Sequence, residues 1–151
     1  MLSTVRRKNV VWAALRAVWS ALVSYPPDSR YPLFWQALES LFTSETKTWK
    51  VTERLCSRIS YFLADNVKDQ QDLYAKVDTC YATRSKIIHG RWDDGPEIKA
   101  RMADTEAIVR TVIRTIADRP GVLGAFLSPK RDEWLEAWVQ SKSFAPPPFP
   151  N

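Results

Sequence analysis

Apolar residues recur along this chain at the three-and-four spacing of a helix face, segment after segment, with proline or glycine between the segments. That rhythm constrains the fold more than any other feature, because a period of 3.6 residues cannot line one side of a pleated strand. Val11, Leu15, Val18, Trp19 and Leu22 form the first stripe, with Arg6, Asn9, Arg16 and Ser20 opposite, and Pro26-Pro27 ends it. Ser29 is placed to cap a second helix running to about Thr43, with Phe34, Leu38, Leu41 and Phe42 inward. A third is expected over Thr46 to Ala64 on Val51, Leu55, Ile59, Phe62 and Leu63. A fourth runs over Asp69 to Ile88 on Leu73, Val77, Cys80, Tyr81 and Ile88. His89 and Gly90 read as its last turn, with the glycine in the left-handed terminating position. Pro96 suits the first turn of a fifth helix to about Ala117, carrying Ile98, Met102, Val109, Val112, Ile113 and Ile116. Pro120-Gly121 reads as its stop, and Ser128-Pro129 as the start of a short sixth helix anchored by Trp134, Leu135 and Trp138.

The expected fold is therefore all-α: an up-and-down bundle of four to five main helices plus a short C-terminal helix. With 151 residues the chain suits one domain, expected over 1–143. The Pro-rich end, 144–151, is expected to be extended or disordered. Four glycines argue against a glycine-rich β architecture. Cys56 and Cys80 make no disulfide framework, and with one histidine in the chain a four-ligand zinc site is implausible, so neither metal nor cofactor is expected.

No stretch reaches eighteen apolar residues, which excludes a bilayer span, and a membrane partner is not expected. Arg6, Arg7 and Lys8 before an apolar stretch imitate a secretion signal, but Arg16 interrupts it and no small-residue cleavage site follows. The expected compartment is the cytoplasm. A net charge of +5 favours a polyanion partner such as nucleic acid, weakly. The cations are scattered over all the helices, so no DNA-recognition helix stands out.

Three charged residues fall on apolar stripes: Glu39, Arg58 and Arg84. Because buried charges need partners, Glu39 and Arg58 are expected to form a structural ion pair tying the second and third helices together. The alternative is that one of the two reaches a substrate. Arg84 differs in sharing a helix end with His89. Histidine is the side chain matched to proton transfer near neutral pH, and arginine offers a permanently charged fork to phosphate oxygens. An arginine-to-histidine spacing alone is common by chance, and a lone His89 could simply close a helix end.

The run Tyr81-Ala-Thr-Arg84-Ser85-Lys86-Ile87-Ile88-His89-Gly90-Arg91 resembles the signature of HEPN domains, especially the Apea-like HEPN group. The segment Phe34-Trp-Gln-Ala-Leu-Glu39-Ser-Leu-Phe42 and the Arg58-Ile59 run are also similar to that group, so the resemblance covers roughly Tyr31 to Ala117. It implies a helical bundle that dimerises, with the motif arginine and histidine near the dimer axis. Many members are metal-independent ribonucleases in toxin–antitoxin or antiphage systems, and others bind nucleotides or act as helical scaffolds. By that resemblance Arg84 and His89 are the catalytic candidates, RNA the substrate, a second copy of the chain the partner, and an antitoxin or regulatory protein a further partner. Many active relatives carry Asn, Asp or His directly after the motif arginine; here Ser85 stands there, able to share a hydrogen bond but not to carry charge. Ser85, Lys86, Arg91 and Trp92 are the candidate substrate contacts, Trp92 by stacking on a base. For Lys86 and Arg91 the plain alternative is solvated charge, and for Trp92 closure of the bundle end. Tyr81, one turn before Arg84, is expected in the core with its hydroxyl holding Arg84. The competing reading of the whole is a non-catalytic nucleotide-binding or protein-interaction scaffold.

Overall fold

The computed structural model describes residues 9–44, 50–91 and 95–142. They form seven helices: α1 (Val10–Val23), α2 (Pro27–Phe42), α3 (Val51–Leu63), α4 (Val67–Ile88), α5 (Pro96–Asp118), α6 (Pro120–Leu127) and α7 (Arg131–Lys142). No strand occurs among the described residues, so the all-α bundle expected from periodicity is what forms. The Pro-rich tail lies outside the described residues.

Helix α2 is the axis of the bundle and packs on α1, α3, α4 and α5. Tyr31, Phe34, Trp35, Leu38, Leu41 and Phe42 are all buried, and at helical spacing they line one face about 120° wide. The Tyr31 hydroxyl donates to the Cys80 carbonyl on α4 and accepts from Thr105 on α5, 3.2 Å away, so its polar end is satisfied inside the core. Contacts between α2 and α4 advance together along both helices, from Tyr31–Cys80 to Glu39–Tyr81 and Glu39–Arg84, so these two run parallel. Contacts between α4 and α5 run oppositely, from Lys76–Asp104 to Cys80–Arg101, which makes that pair antiparallel. One contiguous core draws on all seven helices.

Helix boundaries follow local chemistry. Asn66, not a residue near Asp69, starts α4: its side chain accepts from the Asp69 amide and so satisfies a free donor of the first turn. Pro26 and Pro27, read as a stop, instead open α2, with Pro27 in its first turn where the missing N–H costs nothing. The segment read as a stop at Pro120-Gly121 is likewise a start. Pro120 cannot continue α5, yet its fixed φ suits the first turn of α6. α6 exists because of what it buries: Phe126 stands edge-on to Phe42 (5.7 Å), Phe62 (5.6 Å) and Trp134 (5.7 Å), joining α2, α3 and α7.

Two inward-facing stripes come out differently from the expectation. On α4 the buried residue of the last turn is Ile87, and Ile88 is exposed. On α1 the buried residues are Ala14, Ala17 and Ala21, while Leu15, Trp19 and Leu22 face outward. Alanines let the α1 backbone approach α2 closely, and that face wins although its side chains are small.

The expected Glu39–Arg58 pair does not form. Arg58 is 1% exposed and its Nη1 lies 2.8 Å from Asp132 Oδ1 of α7, with Nη2 3.7 Å from Glu136 Oε1. The same Nη1 donates to the Phe42 carbonyl at 2.7 Å. Arg131 of α7 donates to the Ser40 and Thr43 carbonyls at 2.6 and 2.7 Å. Two arginines from other helices therefore close the C-terminal end of α2, where free carbonyls concentrate negative potential. Glu39 faces the other way, toward α4. Arg58 is taken by other partners because Asp132 and Glu136, one helical turn apart on α7, reach it from the far end of the chain.

Candidate catalytic site at the end of helix α4

Arg84 lies on the side of α4 that faces α2. Its Nη2 is 3.2 Å from Glu39 Oε1 and 3.4 Å from Oε2, and both side chains keep about a quarter of their surface in solvent. The Tyr81 hydroxyl donates to Glu39 Oε1 at 2.9 Å rather than holding Arg84 directly. Arg84 instead sits over the Tyr81 ring, 5.4 Å from its centroid, and that ring is braced edge-on by buried Trp35 at 5.0 Å. Glu39, Tyr81 and Arg84 thus form one linked unit, with Arg84 Nε buried within it. Glu39 meets a single corner of the guanidinium, not the two-nitrogen fork of a bidentate pair.

Four residues beyond, α4 ends at a Schellman turn. His89 is the C-cap, Gly90 has φ +73°, the Gly90 amide donates to the Ile87 carbonyl and the Arg91 amide to the Lys86 carbonyl, both at 2.9 Å. Glycine is needed there because L side chains resist that backbone region. The turn fixes His89 at the helix end with its side chain exposed. No side-chain hydrogen bond joins His89 to Arg84 among the described residues, as expected for positions about 140° apart around a helix. Ser85, Lys86 and Arg91 are exposed around it. Trp92 lies outside the described residues.

Glu39 and Arg84 each fall on an apolar stripe in the sequence, and the structure joins them. The signal was there: Glu39, four residues after Trp35, is set on α2 at the level where Trp35 meets Tyr81, one turn before Arg84. No group of metal-ligating side chains occurs among the described residues. Within one chain the arrangement offers a positioned, part-exposed guanidinium on the α2 side and, separately, an exposed imidazole at the helix end.

The acidic protons of the interior respond to high pH. Burial, then the Asp78 charge, pushes the Cys56 thiol from 9.0 up to about 12. Burial pushes the Tyr31 hydroxyl from 10.0 up to about 12. Burial and then the Glu39 carboxylate do the same to Tyr81. Between these ordinary values and about 12 the unfolded chain has released protons that the folded chain keeps. The folded state then binds more protons, so stability falls as pH rises. The urea midpoint should hold steady up to about pH 9 and drop progressively above it, with Tyr31→Phe flattening part of the drop. A midpoint unchanged to about pH 11 would contradict this.

Compared with known proteins, the chain matches no family model, no curated protein and no solved structure.

Proposed function

We propose that the chain is a metal-independent endoribonuclease of the HEPN type, acting in the cytoplasm as a homodimer and serving as a toxin or antiphage effector under a separate regulatory protein. The observation that carries the reading is the held Arg84 followed by an exposed His89 on a fixed helix end, with Lys86 and Arg91 exposed beside it.

In such a reaction the ribose 2′-oxygen attacks the adjacent phosphorus and its proton passes to a base. The bond from phosphorus to the 5′-oxygen then breaks, and an acid protonates that leaving oxygen. The products are a 2′,3′-cyclic phosphate and a 5′-hydroxyl. One histidine cannot be base and acid in one step, and each chain has one. A two-fold dimer supplies a neutral His89 from one copy and a protonated His89 from the other. Arg84 offers the N–H groups that Glu39 leaves open to the phosphorane oxygens, where charge builds. Glu39 and Tyr81 are positioning residues: they fix the guanidinium before substrate arrives.

The test is incubation of the purified chain with RNA in EDTA, followed by end-group analysis. Fragments bearing 2′,3′-cyclic phosphate support the reading. Cleavage that requires Mg²⁺, or RNA left intact by dimeric protein, overturns it.

A second reading has an observation in its favour. The Glu39 carboxylate already compensates Arg84, so the cluster also suits a purely structural tie between α2 and α4 in a nucleotide-binding or protein-interaction scaffold. That reading expects intact RNA together with a large loss of melting temperature in Arg84→Ala.

A further inference from the structure

Helix α1 carries one charged side chain, Arg16, among its fourteen residues. It packs on α2 and α6 through Ala14, Ala17 and Ala21. Its large residues point away: Trp12, Leu15, Trp19 and Leu22 are 63%, 40%, 68% and 53% exposed. A helix that is apolar all round is ordinarily covered all round, and this one is covered on its alanine side.

The outward residues are spaced three, four and three apart, the alternation of a coiled-coil seam, and fall within an arc of about 80°. Val23, also exposed, extends the arc at its C-terminal end, and Arg16 lies on its rim. Allowing about 250 Å² for a whole tryptophan and about 100 Å² for a whole aliphatic side chain, the face shows roughly 500 Å² of apolar surface. That is near the upper limit for a patch on a monomer, ~300–600 Å². Two such faces laid together bury roughly 1,000 Å² from these side chains alone, the threshold for a specific interface.

We infer that the α1 face, Trp12–Leu15–Trp19–Leu22, is a self-association surface whose occupant is the same face of a second copy of this chain. The face itself is uncharged, with Arg16 on its rim, and Arg6, Arg7 and Lys8 precede the helix in sequence. The choice between a second copy and an anionic lipid surface therefore rests on the self-complementary apolar spacing and is decided by the vesicle arm of the test. A repeat of apolar knobs without charges is self-complementary and needs no other partner. The surface is a different element from the His89 end of α4: the ribonuclease reading needs a dimer, the inference says which face holds it, and a dimer formed through another face fails the inference alone.

Sedimentation of the full chain over about 1–100 µM tests it. The wild type should dimerise within that range, with a blue-shifted tryptophan emission as it does so. Trp19→Glu, and Trp12→Glu combined with Trp19→Glu, should weaken dimerisation at least about a hundredfold while helical content and melting temperature stay at wild-type values. His89→Ala should dimerise as wild type does. Wild-type protein that remains monomeric at about 100 µM overturns the inference, and this outcome needs no variant to fold. A dimer that survives the double glutamate substitution also overturns it, and leaves the ribonuclease reading standing. So does a monomer whose tryptophans are shielded only by the Pro-rich tail, as a chain truncated after Lys142 would reveal. Retention of monomeric wild type on phosphatidylcholine–phosphatidylglycerol vesicles, lost in Trp19→Glu, would overturn it in favour of a lipid surface.

Discussion

His89→Ala should lower RNA cleavage in EDTA by roughly 10²–10⁴-fold, the usual contribution of a positioned proton-transfer group. The loss should come without a change in fold. The His89 side chain is exposed, and the hydrogen bonds that fix the helix end belong to the backbone of His89, Gly90 and Arg91. Removal of an exposed imidazole that braces nothing is worth within about ±0.5 kcal/mol of stability, so activity and stability separate cleanly at this residue. Arg84 behaves differently. Arg84→Ala removes the proposed phosphate contact together with the partner of Glu39, so cleavage and melting temperature should fall together. Arg84→Lys keeps a charge near Glu39 but loses the planar fork, and should recover stability more fully than activity. The informative comparison is therefore the ratio of activity loss to stability loss across His89→Ala, Arg84→Lys and Arg84→Ala. If cleavage survives His89→Ala, the imidazole has no part in proton transfer and the mechanism fails. If RNA stays intact in every form while Arg84→Ala melts early, the Glu39–Tyr81–Arg84 unit is a structural tie and the scaffold reading stands.

Helix existence was legible in the sequence because large apolar residues at helical spacing must find a common interior. The end of α4 was legible to the residue, since a glycine after a long periodic run has few other conformational uses, and Gly90 adopts the left-handed geometry expected of it. Orientation was less legible. The α1 stripe of Trp19, Leu15 and Leu22 looks inward by hydrophobicity, yet helix packing also rewards close backbone approach, and the alanine face permits it. Bulk alone cannot tell a face turned to the chain's own core from one turned to another molecule. Prolines misled for a related reason. Pro27 and Pro120 end one helix and open the next, and it is the burial of Val122 and of Phe126, lodged among Phe42, Phe62 and Trp134, that gives α6 a reason to form. At the candidate site the residue types were readable and their pairing was not. Pairing depends on the rotation of α2 between α3 and α4, and on α7, whose carboxylates lie more than seventy residues from Arg58 in sequence.

Arg58 carries the largest expected stability effect. Arg58→Ala deletes a side chain that is 1% exposed, the donor that closes the Phe42 carbonyl, and the cation between Asp132 and Glu136. Breaking a buried pair from one side costs about 3–5 kcal/mol, because the surviving charge is left in a poor medium. Asp132 and Glu136 retain 25% and 39% of their side-chain exposure, so water screens part of that penalty, and the lower end, about 3 kcal/mol, is expected. For a chain of this size that lowers the melting temperature by about 6–12 °C. Arg131 sharpens the argument. Burial already works against its charge, Asp132 supports it, and Arg58 opposes it. Removing Arg58 therefore relieves a repulsion as well as breaking an attraction, another reason to expect the lower value. The partner assignment is tested by double-mutant cycles. Arg58→Met combined with Asp132→Leu should be less damaging than the sum of the two, by about 0.5–3 kcal/mol, since the attraction between them is lost once in the double variant and counted twice in the sum. Arg58→Met combined with Glu39→Gln should be additive within about 0.5 kcal/mol, because Glu39 belongs to the α4 side of α2 and shares no partner with Arg58. Coupling of Arg58 to Glu39 rather than to Asp132 would mean that α7 does not seat on α3 as described, and with it would go the closure of the α2 end by arginines.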